Sequence, residues 1–120
     1  MGFDADAFVS DGRCVTTDPG LLTAFTEAAD IVGQLAGGRD GFLHMGSLDC
    51  SEAIAFMEQA LGRRGGPGAG IWSPEEVRLL WDAAKWPDPA SVPADLLWAY
   101  WSARKFVEVC VEQGLGIWFN

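Results

Sequence analysis

The stretch "ADLLWAYWSARKFVEVCVEQGLGIWFN", residues 94 to 120, decides the fold. From Ala94 to Gln113 it reads as one helix that Gly114 stops. Its apolar pattern is wide: Leu97, Trp101 and Val107 have Leu96, Tyr100 and Cys110 beside them, with Trp98, Phe106, Val109 and Val111 in addition. A helix apolar over so much of its circumference is either central to a domain or half covered by something else. The residues after Gly114 read as a short strand, whose obvious neighbour is the N-terminus of the chain.

At that N-terminus, "FVSDGRCVT" sets Asp11-Gly12 between Phe8-Val9 and Cys14-Val15, the signature of a hairpin with a type I′ turn. A helix follows from Asp18. Leu21, Leu22, Phe25, Ala28, Ala29, Val32 and Leu35 recur at the three-and-four spacing of one helical face, Asp18 caps, Pro19 takes the first position, and Gly37-Gly38 stops it. Phe42 to Met45 reads as a short extended piece. A second helix opens at "LDCSEAIAFMEQALG", with Asp49 as cap, Glu52 closing a capping box, and Gly62 at its end. "GRRGGPGAG", residues 62 to 70, holds five glycines and a proline and reads as a mobile loop. It matches neither the P-loop nor the dinucleotide-binding pattern. A third helix starts at "SPEE", with Ser73 as cap, Pro74 first and Glu76 closing the box; its apolar face is Val77, Leu80, Trp81 and Ala84. Pro87 keeps it from running past Trp86. The expectation is a single domain over residues 1 to 120. Its fold class is α+β or mostly α, with about four helices around an aromatic core and a small antiparallel sheet joining the N-terminal hairpin to the C-terminal strand.

Size and composition agree with one self-sufficient domain: 120 residues, 49% apolar and 21% charged. Against 17 acidic side chains stand 8 basic ones, a net charge of −9. That balance argues against a nucleic-acid partner, since a phosphate backbone is bound by clustered Lys and Arg. It favours a protein partner with a basic or neutral surface. Nothing in the chain approaches the roughly 18 to 20 consecutive apolar residues that span a bilayer, and "MGFDADAFVSDG" is acidic where a secretory signal is basic. The expectation is a cytoplasmic protein without a membrane. Cys14, Cys50 and Cys110 are odd in number and widely spaced, which suits reduced thiols better than disulfides or zinc. No cofactor or metal is expected.

Two constellations bear on function. Cys50 falls at the first turn of the second helix, six residues after the only histidine, His44, so a small Cys/His enzyme is one reading. Asp49 and Glu52 flank the thiol and oppose its ionisation. The second constellation is aromatic: Trp72, Trp81, Trp86, Trp98 and Trp101, five of the six tryptophans, lie within residues 70 to 101. Trp81 shares a face with Val77 and Leu80 and belongs to the core. Trp86, between Lys85 and Pro87, belongs to no periodic face and is the first choice for an exposed anchor. One of Trp98 and Trp101 is expected to join it on a contact surface, with Asp82 and Asp88 as the acids beside them, because tryptophan dominates interface energetics.

The segment "LHMGSLDCSEAIAFMEQALG" resembles a recurring segment in small, acidic, mostly uncharacterised proteins of actinobacteria and their phages. There a Leu-Thr-Cys-Ser/Gly-Glu-Ala run opens an Ala- and Leu-rich helix; Asp49 stands here where that run has Thr. The resemblance implies an accessory, mobile-element or defence-related protein and brings no activity with it. The leading expectation is therefore a non-enzymatic protein-binding inhibitor, an immunity protein or a phage-encoded anti-defence protein, acting through an acidic, Trp-bearing surface. The Cys50/His44 enzyme is the second reading. A self-associating structural module, with the wide fourth helix hidden in a homodimer, is the third.

Overall fold

The computed structural model describes residues 5–8, 18–36, 43–44, 47–48, 50–65 and 70–119. In chain order the elements are β1 (Ala5–Phe8), α1 (Pro19–Leu35), β2 (Leu43–His44), β3 (Ser47–Leu48), α2 (Ser51–Leu61), β4 (Ile71–Trp72), α3 (Pro74–Asp82), α4 (Leu97–Gln113) and β5 (Gly116–Phe119). Two 3-10 turns, Pro89–Ser91 and Ala94–Leu96, lie between α3 and α4.

The width of the α4 pattern is explained by its position. α1, α2 and α3 all pack against it, so Trp98, Ala99, Tyr100, Ala103, Phe106, Val107, Val109 and Cys110 are buried around most of its circumference. One contiguous buried cluster draws on all four helices and the sheet. The helix is three residues shorter at its start than the sequence suggests, because Ala94–Leu96 winds as a 3-10 turn. It stops as expected: Gly114 takes the left-handed conformation at φ 67°, and the Leu115 N–H returns to the Cys110 carbonyl at 2.7 Å.

Local chemistry sets the other helices. Asp18 caps α1 by accepting from the Gly20 and Leu21 N–H groups at 3.0 and 3.2 Å. Leu21, Phe25, Ala28 and Val32 are its buried stripe, while Leu35, expected on that face, is exposed. The Ser73–Glu76 capping box on α3 is complete, each partner bonding the other's backbone N–H at 3.2 Å. The box expected on α2 does not form. That helix begins one residue later, with Cys50 as its N-cap and no side-chain cap bond. Glu52 is thus at the second helical position rather than the third, and its carboxylate instead accepts from the Cys50 thiol at 2.9 Å. Asp49, the expected cap, lies outside the described residues.

The sheet has the order β2-β3-β1-β5-β4, antiparallel throughout. β1 pairs with β5 from Ala5↔Phe119 to Phe8↔Gly116, so the N-terminal strand does meet the C-terminal one. Residues 9–17, with the expected Asp11-Gly12 turn, lie outside the described residues; the other neighbour of β1 is β3. The Gly-rich stretch expected to be loose is tied at both sides of residues 66–69. Gly65 is buried under the Phe119 ring, where a Cβ would come within 2.7 Å of a ring carbon, and the Gly70 carbonyl, at a φ of 76°, accepts from the Phe119 N–H at 2.9 Å.

Ser102 is the one buried polar residue among the described core positions, and its Oγ has no hydrogen-bond partner. Replacing it with alanine removes an unsatisfied hydroxyl and installs a better helix former, so Ser102→Ala is expected to raise the unfolding free energy by about 1 kcal/mol. Urea denaturation checks this, and a loss of stability contradicts it.

Candidate functional site

The aromatic constellation is gathered, but differently from the expectation. Trp86 follows α3 in the connector, and the connector folds back over α4. The Tyr100 hydroxyl donates to the Pro87 carbonyl at 2.6 Å and accepts from Arg104 Nη1 at 2.7 Å. This holds the Trp86 indole between the rings of Trp81 and Tyr100, with both centroid distances 6.1 Å. Its Nε1 is buried without a hydrogen-bond partner. Trp86 is therefore half-buried packing, not a free anchor. A bond between residues 13 apart in the chain made the difference, and no local pattern announces it.

Of the other two candidates, Trp98 is only 5% exposed, which removes it from any contact surface. Trp101 is half-buried; its ring lies edge-on to Tyr100 at 5.1 Å, and the Arg104 guanidinium sits 5.4 Å from its centroid. Asp82 and Asp88 are both exposed on either side of Trp86. Asp88 also acts locally, since its carboxylate caps the Pro89–Ser91 turn through the Ala90 N–H at 2.9 Å. The structure thus brings Trp86, Trp101, Asp82 and Asp88 to the α3–α4 side, with the two acids exposed and the two indoles half-buried.

Trp118, which sequence patterning did not single out, is 48% exposed. The signal was present in "GIWF": in a strand, successive side chains alternate, so buried Ile117 and Phe119 force Trp118 outward.

Cys50 is buried, and its thiol is pushed above the ordinary value, first by burial and then by the Glu52 carboxylate that accepts its hydrogen bond; the Ala53 and Glu52 backbone N–H groups offset part of this. Glu52 moves the opposite way, lowered chiefly by that same bond. Both shifts favour a neutral thiol beside an ionised carboxylate, the reverse of a nucleophile. His44 lies on β2, the register partner of Ser47. Next to Cys50, a depression of about 210 Å³ is lined by Glu52, Ala55, Phe56, Gln59 and Leu96, below the roughly 300 to 1,000 Å³ of small-molecule sites. Iodoacetamide is expected to label Cys50 in the native protein at least about tenfold more slowly than a free cysteine. Mass spectrometry of the labelled chain checks this, and labelling faster than a free thiol would restore the Cys/His reading.

Among the described residues no group of three or more His, Cys, Asp or Glu side chains is placed to hold a metal ion, and no helix is long and apolar enough to cross a membrane. By class this is an α+β protein: a central helix flanked by three others and by a five-stranded antiparallel sheet. No protein-family model matches the chain, and neither the curated proteins nor the solved structures provide a match.

Proposed function

We propose that this protein works in the cytoplasm by binding another protein, as a non-enzymatic inhibitor of the immunity or phage anti-defence kind, through an acidic surface that carries tryptophan. The observation that supports this best is how the charges are deployed. Among the described residues eight acids are exposed (Glu27, Asp30, Glu52, Glu75, Asp82, Asp88, Asp95 and Glu112) against three bases, Arg64, Arg78 and Lys85. Three further bases are occupied within the chain: Arg63 pairs with Glu76, Lys105 pairs with Glu108 at 3.3 Å, and Arg104 bonds Tyr100. Half of the six described bases brace the fold while eight acids face water, an arrangement that steers association with a basic surface.

The other readings have less behind them. The raised Cys50 thiol counts against a Cys/His nucleophile. The apolar breadth of α4 motivated self-association, and the chain's own helices already cover it. The test is capture of a partner by the tagged protein from lysate of the source organism, or of its host if the gene is viral, washed at low and then high salt. A single stoichiometric protein that is released as salt rises is the expected result. No retained protein at low salt contradicts the reading.

A further inference from the structure

The outer face of the sheet exposes two large apolar side chains, Ile71 and Trp118. On β5, Ile117 and Phe119 are buried while Trp118 is exposed; on β4, Trp72 is buried while Ile71 is 56% exposed. The register sets Ile71 opposite Trp118. Because the Phe119 N–H donates to the Gly70 carbonyl, Gly70 and Phe119 form a hydrogen-bonded pair. Ile71–Trp118 is then the alternate, non-hydrogen-bonded pair, the kind whose Cα atoms come within about 4.5 Å and whose side chains lie closest. The two make one apolar platform at the β4–β5 side of the sheet.

Across β5 the register partner of Trp118 is Asp6 on β1, and the same row continues to Ser47 and His44. Asp6 is the only Asp, Glu, Lys or Arg within the five strands. An exposed indole and an exposed isoleucine therefore share one row, and Glu75 is exposed in the first turn of α3, which follows β4.

We infer that the Ile71–Trp118 platform is a docking surface for an arginine-bearing segment of a basic protein; the inference rests on the acidic-binder reading above and locates its anchor. A guanidinium stacks on an indole face, its apolar stem lies along an aliphatic neighbour, and a carboxylate supplies the counter-charge. A second copy of this chain is the poorer occupant. Docking the platform on itself would bring together two molecules of net charge −9 each.

The test titrates the full chain with a blocked, tryptophan-free peptide of alternating arginine and valine, and with its glutamate-for-arginine counterpart, at low ionic strength. Binding is followed by calorimetry, the fold by near-ultraviolet circular dichroism, and the oligomeric state by sedimentation. The arginine peptide should bind and the glutamate peptide should not. Trp118→Ala and Ile71→Ala should each weaken binding by about fivefold or more, while Glu27→Gln, which removes an exposed acid on α1, should stay within about twofold. Arginine-peptide binding that survives Trp118→Ala in a folded protein overturns the assigned surface and leaves the acidic-binder reading standing. No binding of the arginine peptide to the unaltered chain overturns both. A dimer abolished by Trp118→Ala, without peptide binding, overturns the inference in favour of a second copy.

Discussion

Trp72→Ala is expected to lower the unfolding free energy by about 3–5 kcal/mol, the range for truncating a fully buried large aromatic side chain. Trp72 is completely buried where the sheet meets the helices, with its ring 4.7 Å from that of Phe119 at 61° and the Arg63 guanidinium 5.3 Å from its centroid. Arg63 in turn pairs with Glu76, whose carboxyl is held below its usual range chiefly by that guanidinium and then by the Ser73 backbone N–H of the capping box. One indole thus joins β4, β5, the start of the Gly-rich stretch and the cap of α3. Chemical denaturation measures the effect. Trp72→Phe should cost less than half as much, because the indole Nε1 it deletes is buried with no hydrogen-bond partner. Equal losses in the two variants would mean that shape, not buried area, dominates the site.

The second large effect is expected at Tyr100→Phe, which keeps the ring and deletes one oxygen. That oxygen holds the connector by donating to Pro87 and receives Arg104. Without it the Pro87 carbonyl and the Arg104 guanidinium both lose a partner in a partly buried place, a cost of about 1–3 kcal/mol. The ring contacts with Phe56, Trp86 and Trp101, at 5.6, 6.1 and 5.1 Å, survive the change. The variant should therefore remain folded while its connector opens, and amide exchange of Ser91 and Val92, whose N–H groups bond Asp88 and Pro89 at 2.9 and 3.1 Å, should quicken. Unchanged exchange there contradicts a clamping role for the hydroxyl.

The parts of the fold that were legible in the sequence are those written in local chemistry. Asp18-Pro19 starts α1, Ser73-Pro74-Glu75-Glu76 starts α3, and Gly114 stops α4; each signal acts within four or five residues and each is realised. The apolar breadth of α4 marked it as either central or half covered by something else, and its three helical neighbours make it central. What escaped depends on partners distant in sequence. β3 and β4 are two residues long, too short for period-two alternation to register, and pair with β1 and β5 respectively, far away in the chain; β2, within the extended piece read at Phe42 to Met45, pairs locally with β3. The α2 start slipped by one residue, to Cys50 as its N-cap, and a one-residue slip is enough to undo a capping box.

The candidate surface was less legible for the same reason. Trp86 has no periodicity in sequence, which suggested exposure, yet the Tyr100 hydroxyl draws its segment onto α4. Of the adjacent pair Trp98 and Trp101, helical spacing could not say which face the core would claim; the structure buries Trp98 and leaves Trp101 half-covered. Trp118 was the readable exception. Strand alternation alone turns it outward between two buried neighbours, and the cross-strand register then sets Ile71 and Asp6 beside it. Exposed carboxylates supply long-range attraction, and an aromatic platform supplies the short-range contact that charge alone does not.

The most direct measurement of where a partner docks is a proton–nitrogen correlation spectrum of the six indole N–H groups, assigned by single substitutions and recorded as the arginine–valine peptide is added. The Trp118 signal is predicted to move first and furthest, while Trp72 and Trp98, fully or nearly fully buried, hold their positions. A spectrum in which Trp101 or Trp86 moves and Trp118 stays would place the contact on the α3–α4 side and contradict a docking surface on the sheet.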